Sequence, residues 1–138
     1  DRIAQHGKKT LILTEGLLCY LPEAAVRELS SELARYPEFT HWITDYFSAT
    51  LLKWLNRGWG KRFEKGNAGI YFGSPRGAAF FNEQGWHSIQ TRSVFKEGVR
   101  LNRMIPGYRA WGPLLKFTPR RFQKFAECAY ELTLLTRA

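Results

Sequence analysis

Residues 10–47 carry the pattern that most restricts the fold: an apolar run, an amphipathic segment, then a second apolar run. Thr10-Leu-Ile-Leu-Thr14 has strand length, and its back-to-back apolar residues predict a strand buried on both faces, as within a parallel sheet. Glu15-Gly16 ends that run. Pro22 suits the first helical position, and the Glu23 carboxylate suits the positive end of the helix dipole. Ala25, Val26, Leu29 and Leu33 then recur at helical spacing until Pro37 closes the helix. Phe39 to Phe47, rich in aromatic and β-branched residues, predicts a second strand. Strand, helix and strand within about 38 residues make a βαβ unit, for which a right-handed crossover is expected.

The rest of the chain is read from its stops. Ser48 or Thr50 caps a further helix with Leu51, Leu52, Trp54 and Leu55 on its apolar stripe. Gly58, Gly60 and Gly66 predict a break or an irregular lid in its later turns. Ser74-Pro75 opens a short helix through Gln84, which Gly85 stops. Trp86 to Ser93 is a third strand. Glycines and prolines between Val94 and Trp111 favour one or two short helices there, as a substrate-side insertion around 94–120. Phe125 to Thr136, with Cys128, Tyr130, Leu132 and Leu134 alternating, predicts a terminal strand.

At 138 residues there is room for one hydrophobic core, and an aromatic share of 15% excludes a disordered chain. No apolar run reaches the roughly 20 residues that span a bilayer, so no membrane helix is expected. The first residues contain no hydrophobic stretch of the signal-peptide kind. With Asp1 in first place and no initiator Met, the sequence reads as an excerpt from something longer. Cys19 and Cys128 lie far apart, in no CxxC pair, and His6, His41 and His87 are scattered. A zinc site is therefore not expected. Both cysteines read as small buried hydrophobes in a reducing cytoplasm.

Charge is uneven along the chain. Residues 1–50 carry 5 Lys/Arg against 7 Asp/Glu, while residues 51–138 carry 16 against 5, which together give the net +9. The basic residues are single or paired rather than in long runs, so nucleic-acid binding is not favoured. A non-catalytic basic module for nucleic acid or an acidic partner is nonetheless the alternative reading. In it Trp54, Trp59, Tyr71 and Trp86 would stack on bases.

Glu15 sits where a functional side chain belongs, since ligands of open α/β sheets bind outside the carboxyl ends of the strands. There it could accept hydrogen bonds from an ammonium or a ribose, or act as a base. Capping of the following helix is an equal alternative. Tyr20 likewise reads as a buried aromatic or as a substrate-facing hydroxyl.

TLILTEGLLCYLPEAAV, residues 10–26, resembles the fourth-strand motif of the leucine carboxyl methyltransferase family, whose apolar strand ends in Glu-Gly-Leu-Leu-x-Tyr-Leu. Ile70 to Pro75 and Ala79 to Trp86 are similar to that family's helix leading to a Gly-Trp before the sixth strand. Ala129 to Arg137 is similar to its last strand. The resemblance implies an α/β fold: the C-terminal half of a Rossmann-like sheet, strands four to seven, the last antiparallel between the fifth and sixth. Residues 1–138 would then be one partial methyltransferase domain. It also implies an S-adenosylmethionine-dependent O-methyltransferase acting on a small-molecule or protein carboxylate. Glu15, Gly16 and Leu17 would line the cofactor, with Tyr20 near the substrate. The basic half of the chain, especially Arg57, Lys61, Arg62, Arg100 and Arg103, reads as a basic substrate wall or as ordinary solvated surface. No catalytic residue is assigned. The glycine-rich turn and the acidic residue that hold such a cofactor from the first two strands have no counterpart here. This stretch alone is therefore expected not to bind it measurably. The open edge of its first strand is expected to be covered by an N-terminal half or by a second copy.

Overall fold

Local sequence dictates most of the element order. A computed structural model describes residues 9–65, 69–104, 112 and 117–138, and for residues 59–65 the backbone alone. The strands are β1 (Thr10–Thr14), β2 (Phe39–Phe47), β3 (Trp86–Ser93) and β4 (Tyr130–Arg137). The helices are α1 (Glu23–Ala34), α2 (Ala49–Lys65), α3 (Val94–Arg100) and α4 (Arg120–Cys128), with 3-10 turns at Leu18–Tyr20 and Gly77–Gln84. The sheet order is β1-β2-β4-β3. β1 and β2 are parallel, whereas β4 runs antiparallel to both β2 and β3. A last strand lying antiparallel between its two predecessors is the arrangement expected of strands four to seven.

Period-two alternation splits the sheet into two unequal faces. Trp42, Thr44 and Tyr46 of β2 share one face with Glu131, Thr133 and Leu135 of β4. That face carries the core: Trp42, Tyr46, Phe72, Phe80, Phe81, Trp86 and Leu135, closed over by Leu18 and by Val26 of α1. Trp42 meets Phe81 and Trp86 edge-on at centroid distances of 5.4 and 5.6 Å, the geometry that aromatic quadrupoles favour. The indole N–H groups are satisfied, Trp86 Nε1 donating to the Ser30 carbonyl at 2.9 Å and Trp42 Nε1 to Thr14 Oγ1 at 2.9 Å. Truncating either Trp would cost about 3–5 kcal/mol.

The opposite face is much barer. Leu11 and Leu13 of β1 are 56% and 65% exposed, and in register they share a face with Ile43, Asp45 and Leu132. The expectation that β1 is buried on both faces is thus wrong. Among the described residues β1 is an edge strand, and its apolar side chains lack the cover that their pattern anticipates.

Four further expectations are revised. α2 runs unbroken from Ala49 to Lys65 through Gly58 and Gly60, because a helical glycine costs only about 1 kcal/mol and does not block a hydrogen bond. Of its two candidate caps Ser48 is used, its Oγ accepting from Leu51 N–H at 3.2 Å. The stretch expected to be one long terminal strand divides in two, with Phe125 to Cys128 in α4 and the strand only from Tyr130. Phe122 and Phe125, three residues apart, stack at 6.3 Å on one helical face, a spacing the strand reading overlooked. Pro22 is the N-cap rather than the first helical residue. Cys128 is exposed and Cys19 half-buried, so neither is a core residue. Gly85, at φ +87°, does end the 3-10 turn as expected, and β3 follows it directly. Of the insertion expected around 94–120, residues 105–111 and 113–116 lie outside the described residues; the described part includes α3 and the start of α4.

Candidate functional site

The carboxyl ends of β1 and β2 lie side by side, and three backbone segments converge on them. The first is the turn after β1. Gly16 has φ +60°, a left-handed conformation that L side chains rarely adopt, and a Cβ there would meet nothing within 4 Å. Its requirement for glycine is conformational, and the space beside it is open. The second is the start of α2 at Ser48-Ala49. The third is Tyr71 to Ser74, which returns across both: Tyr71 and Phe72 N–H donate to the Cys19 carbonyl at 2.8 and 3.2 Å, and Ser74 N–H donates to the Phe47 carbonyl at 2.7 Å. Gly73 permits that return, because a Cβ there would sit 2.8 Å from Leu52 Cβ and 2.9 Å from the Ser48 carbonyl oxygen.

One buried carboxylate ties these segments to the sheet. Asp45, 6% exposed, accepts the Gly16 N–H on Oδ1 at 2.9 Å and on Oδ2 at 3.1 Å. It also accepts the Tyr130 hydroxyl from the first residue of β4. The Tyr130 phenol is pushed well above its ordinary range, first by burial and then by its bond to Asp45, with the charge of Glu15 adding to both. Burial, followed by the Asp45 charge, likewise raises the Cys19 thiol, so it is held as a thiol rather than an activated thiolate. Glu15 itself is exposed. Among the described residues neither Glu15 nor Asp45 forms an ion pair with Lys or Arg. The ends of β1 and β2 thus make a spot with two carboxylates and no Lys or Arg partner among the described residues. Such a spot suits the cationic part of a ligand.

Comparison with solved structures gives this sheet a known counterpart. The chain is similar to magnesium protoporphyrin IX methyltransferase from Synechocystis PCC 6803, solved with SAH bound, at 15% identity and a TM-score of 0.51. The match covers 99% of this chain and 48% of that one, so the chain spans about half the length of its structural neighbour. The fold is a methyltransferase fold. No protein-family profile and no curated protein sequence matches the chain.

Within this methyltransferase fold the residues expected at the site divide into two groups. Glu15, Gly16 and Leu17 stand together at the end of β1, and Tyr20 is half exposed one turn later. Arg100 and Arg103 follow β3, the far edge strand, which stands three places from β1 in the sheet. Arg100 is also engaged, its guanidinium bonded to Glu97 at 2.7 Å. Of the expected stacking set, Trp86 is fully buried and so cannot stack on a base, while Trp54 and Tyr71 are exposed. The side chains of Trp59, Lys61 and Arg62 lie outside the described residues.

Sequence reading missed Asp45 and Tyr130. A signal for Asp45 was present: an acidic residue inside an otherwise aromatic and β-branched strand is unusual, and buried carboxylates need dedicated partners. For Tyr130 no local signal distinguishes it from the other aromatic residues.

Proposed function

We propose that this chain is part of an S-adenosylmethionine-dependent O-methyltransferase that methylates a carboxylate, in the manner of the leucine carboxyl methyltransferase family. The observation that carries the reading is the exposed Glu15 carboxylate, without a Lys or Arg partner among the described residues, at a strand end of a methyltransferase fold. A sulfonium and an ammonium, the two cationic groups of that cofactor, would be favoured there by charge alone. When bound, the cofactor supplies an already activated methyl group, so the protein's task is alignment and exclusion of water rather than acid–base chemistry. Glu15 would hold the cofactor's cationic portion, with the Gly16 and Leu17 backbone as the adjoining wall. Tyr20 would face the acceptor. Arg100 and Arg103 would act further out, on the approach of an anionic substrate rather than at the reacting atoms.

The second wall of the site, in this reading, comes from a complementary N-terminal half or from a second copy seated on the open edge of β1. The assembled enzyme would work in the cytoplasm.

The test uses the product of the complete gene, a labelled methyl donor and a panel of acid acceptors. The expected product is a base-labile methyl ester, with transfer reduced at least about tenfold in Glu15→Gln, the loss of one charge-assisted contact. Base-stable product would refute carboxyl transfer, and no transfer or binding at all would refute the methyltransferase reading. Calorimetry on the 138-residue chain alone should detect no cofactor binding; micromolar affinity would overturn the two-wall account.

A further inference from the structure

We propose that Asp45 and Tyr130 are positioning residues that fix the left-handed Glu15–Gly16 turn, and through it the direction of the Glu15 carboxylate. The proposal rests on the reading of Glu15 given above, and it adds to that reading two residues that touch neither cofactor nor substrate.

A turn after a strand is free to move unless something beyond the sheet ladder holds it, and Gly16 is the least constrained residue available. Its side contributes no packing, since nothing lies within 4 Å of where a Cβ would be. The constraint comes instead from the N–H group, which donates to both oxygens of Asp45 at 2.9 and 3.1 Å. Hydrogen bonds to an ionised acceptor are stronger than neutral ones, and a two-oxygen acceptor restricts rotation as well as distance. Asp45 is in turn held from β4 by the Tyr130 hydroxyl, while the Tyr130 ring packs edge-on against Phe47 at a centroid distance of 5.0 Å. The turn after β1 is thus referenced to two neighbouring strands at once. A merely structural buried polar residue at this place would be served by an amide or a hydroxyl. A carboxylate costs more to bury and is retained here without a cationic partner among the described residues.

Two measurements test the proposal. In the 138-residue chain, the Gly16 amide should be shifted downfield and protected from exchange. Asp45→Asn and Tyr130→Phe should each shift it and lower its protection, while the Trp42 and Trp86 indole N–H signals of the core stay in place. An unprotected Gly16 amide in the parent, or one indifferent to both substitutions, would overturn the proposal. In the complete gene product, Asp45→Asn should weaken cofactor binding about tenfold, the equivalent of one such hydrogen bond. Combined with Glu15→Gln it should add little further loss, because it acts through Glu15. Fully additive losses would show that Asp45 acts independently, which also overturns it. A parent protein with the expected Gly16 signals but no cofactor binding would remove the methyltransferase reading and leave the turn's anchoring established. If Asp45→Asn fails to fold, Tyr130→Phe, which removes a single hydroxyl, carries both measurements.

Discussion

Single atoms decide several properties of this chain. The phenols of Tyr46 and Tyr130 are both raised far above the usual value near 10, first by burial, then by the neighbouring carboxylates Glu131 and Asp45. A folded-state value above the unfolded one means the native state holds its proton more tightly. The stabilisation is then complete below about pH 10 and is lost as pH rises beyond it. We expect tyrosinate absorbance to show two of the six tyrosines ionising only as the chain unfolds, with Tyr46→Phe and Tyr130→Phe each removing one late component. Normal ionisation of all six in the folded protein would contradict the buried geometry. At Gly73, a methyl group would press on the Ser48 carbonyl at 2.9 Å, backbone that cannot yield as a flexible side chain can. Gly73→Ala should therefore cost about 1–3 kcal/mol in urea unfolding. A neutral result would mean that the segment after α2 does not return so closely across the strand ends.

Among elements, β1, α1, β2 and β3 were legible because their signals are local: apolar runs, Pro and Gly stops, and the apolar stripe of Val26, Leu29 and Leu33. The turn Glu15-Gly16 was legible for the same reason. What holds it was not, since Gly16 and Asp45 are 29 residues apart and Tyr130 is a further 85 from Asp45. Periodicity also fails where two periods share residues. Cys128, Tyr130, Leu132 and Leu134 fit an alternating strand, yet Phe122 and Phe125 ahead of them fit a helix, and the switch falls at Ala129. Exposure of Leu11 and Leu13 was illegible for a different reason, since burial depends on which neighbour is present rather than on the strand's own residues. α2 shows that glycines alone do not end a helix. A Cβ added at Gly58 would meet no atom within 4 Å, so Gly58→Ala should stabilise by about 0.5–1 kcal/mol. Circular dichroism with thermal melting would check it. A loss of stability would indicate that α2 is broken at this glycine after all.

At the scale of the molecule, one covered face and one bare face set the behaviour in solution. β1 ends the sheet among the described residues, and its outer backbone groups have no strand partner there. Beside that edge stand Leu11 and Leu13, more than half exposed, on the same face as the partly exposed Leu132. An apolar edge strand is a template for another chain, and its usual protection is a lysine, a proline or a covering helix. Net charge of +9 opposes the approach of two copies at low salt, and at 0.1 M salt that repulsion is largely screened beyond about 10 Å. Association of the isolated chain should therefore grow with ionic strength, the reverse of what charge-driven contacts give. Light scattering across a salt series should show the rise. Leu13→Lys, which puts a charge on the bare face without touching the core, should suppress it while leaving the melting temperature nearly unchanged. The complementary N-terminal half proposed above, supplied in trans, should suppress it as well. A monomer that stays soluble at high salt would mean that the edge is already protected and needs neither partner.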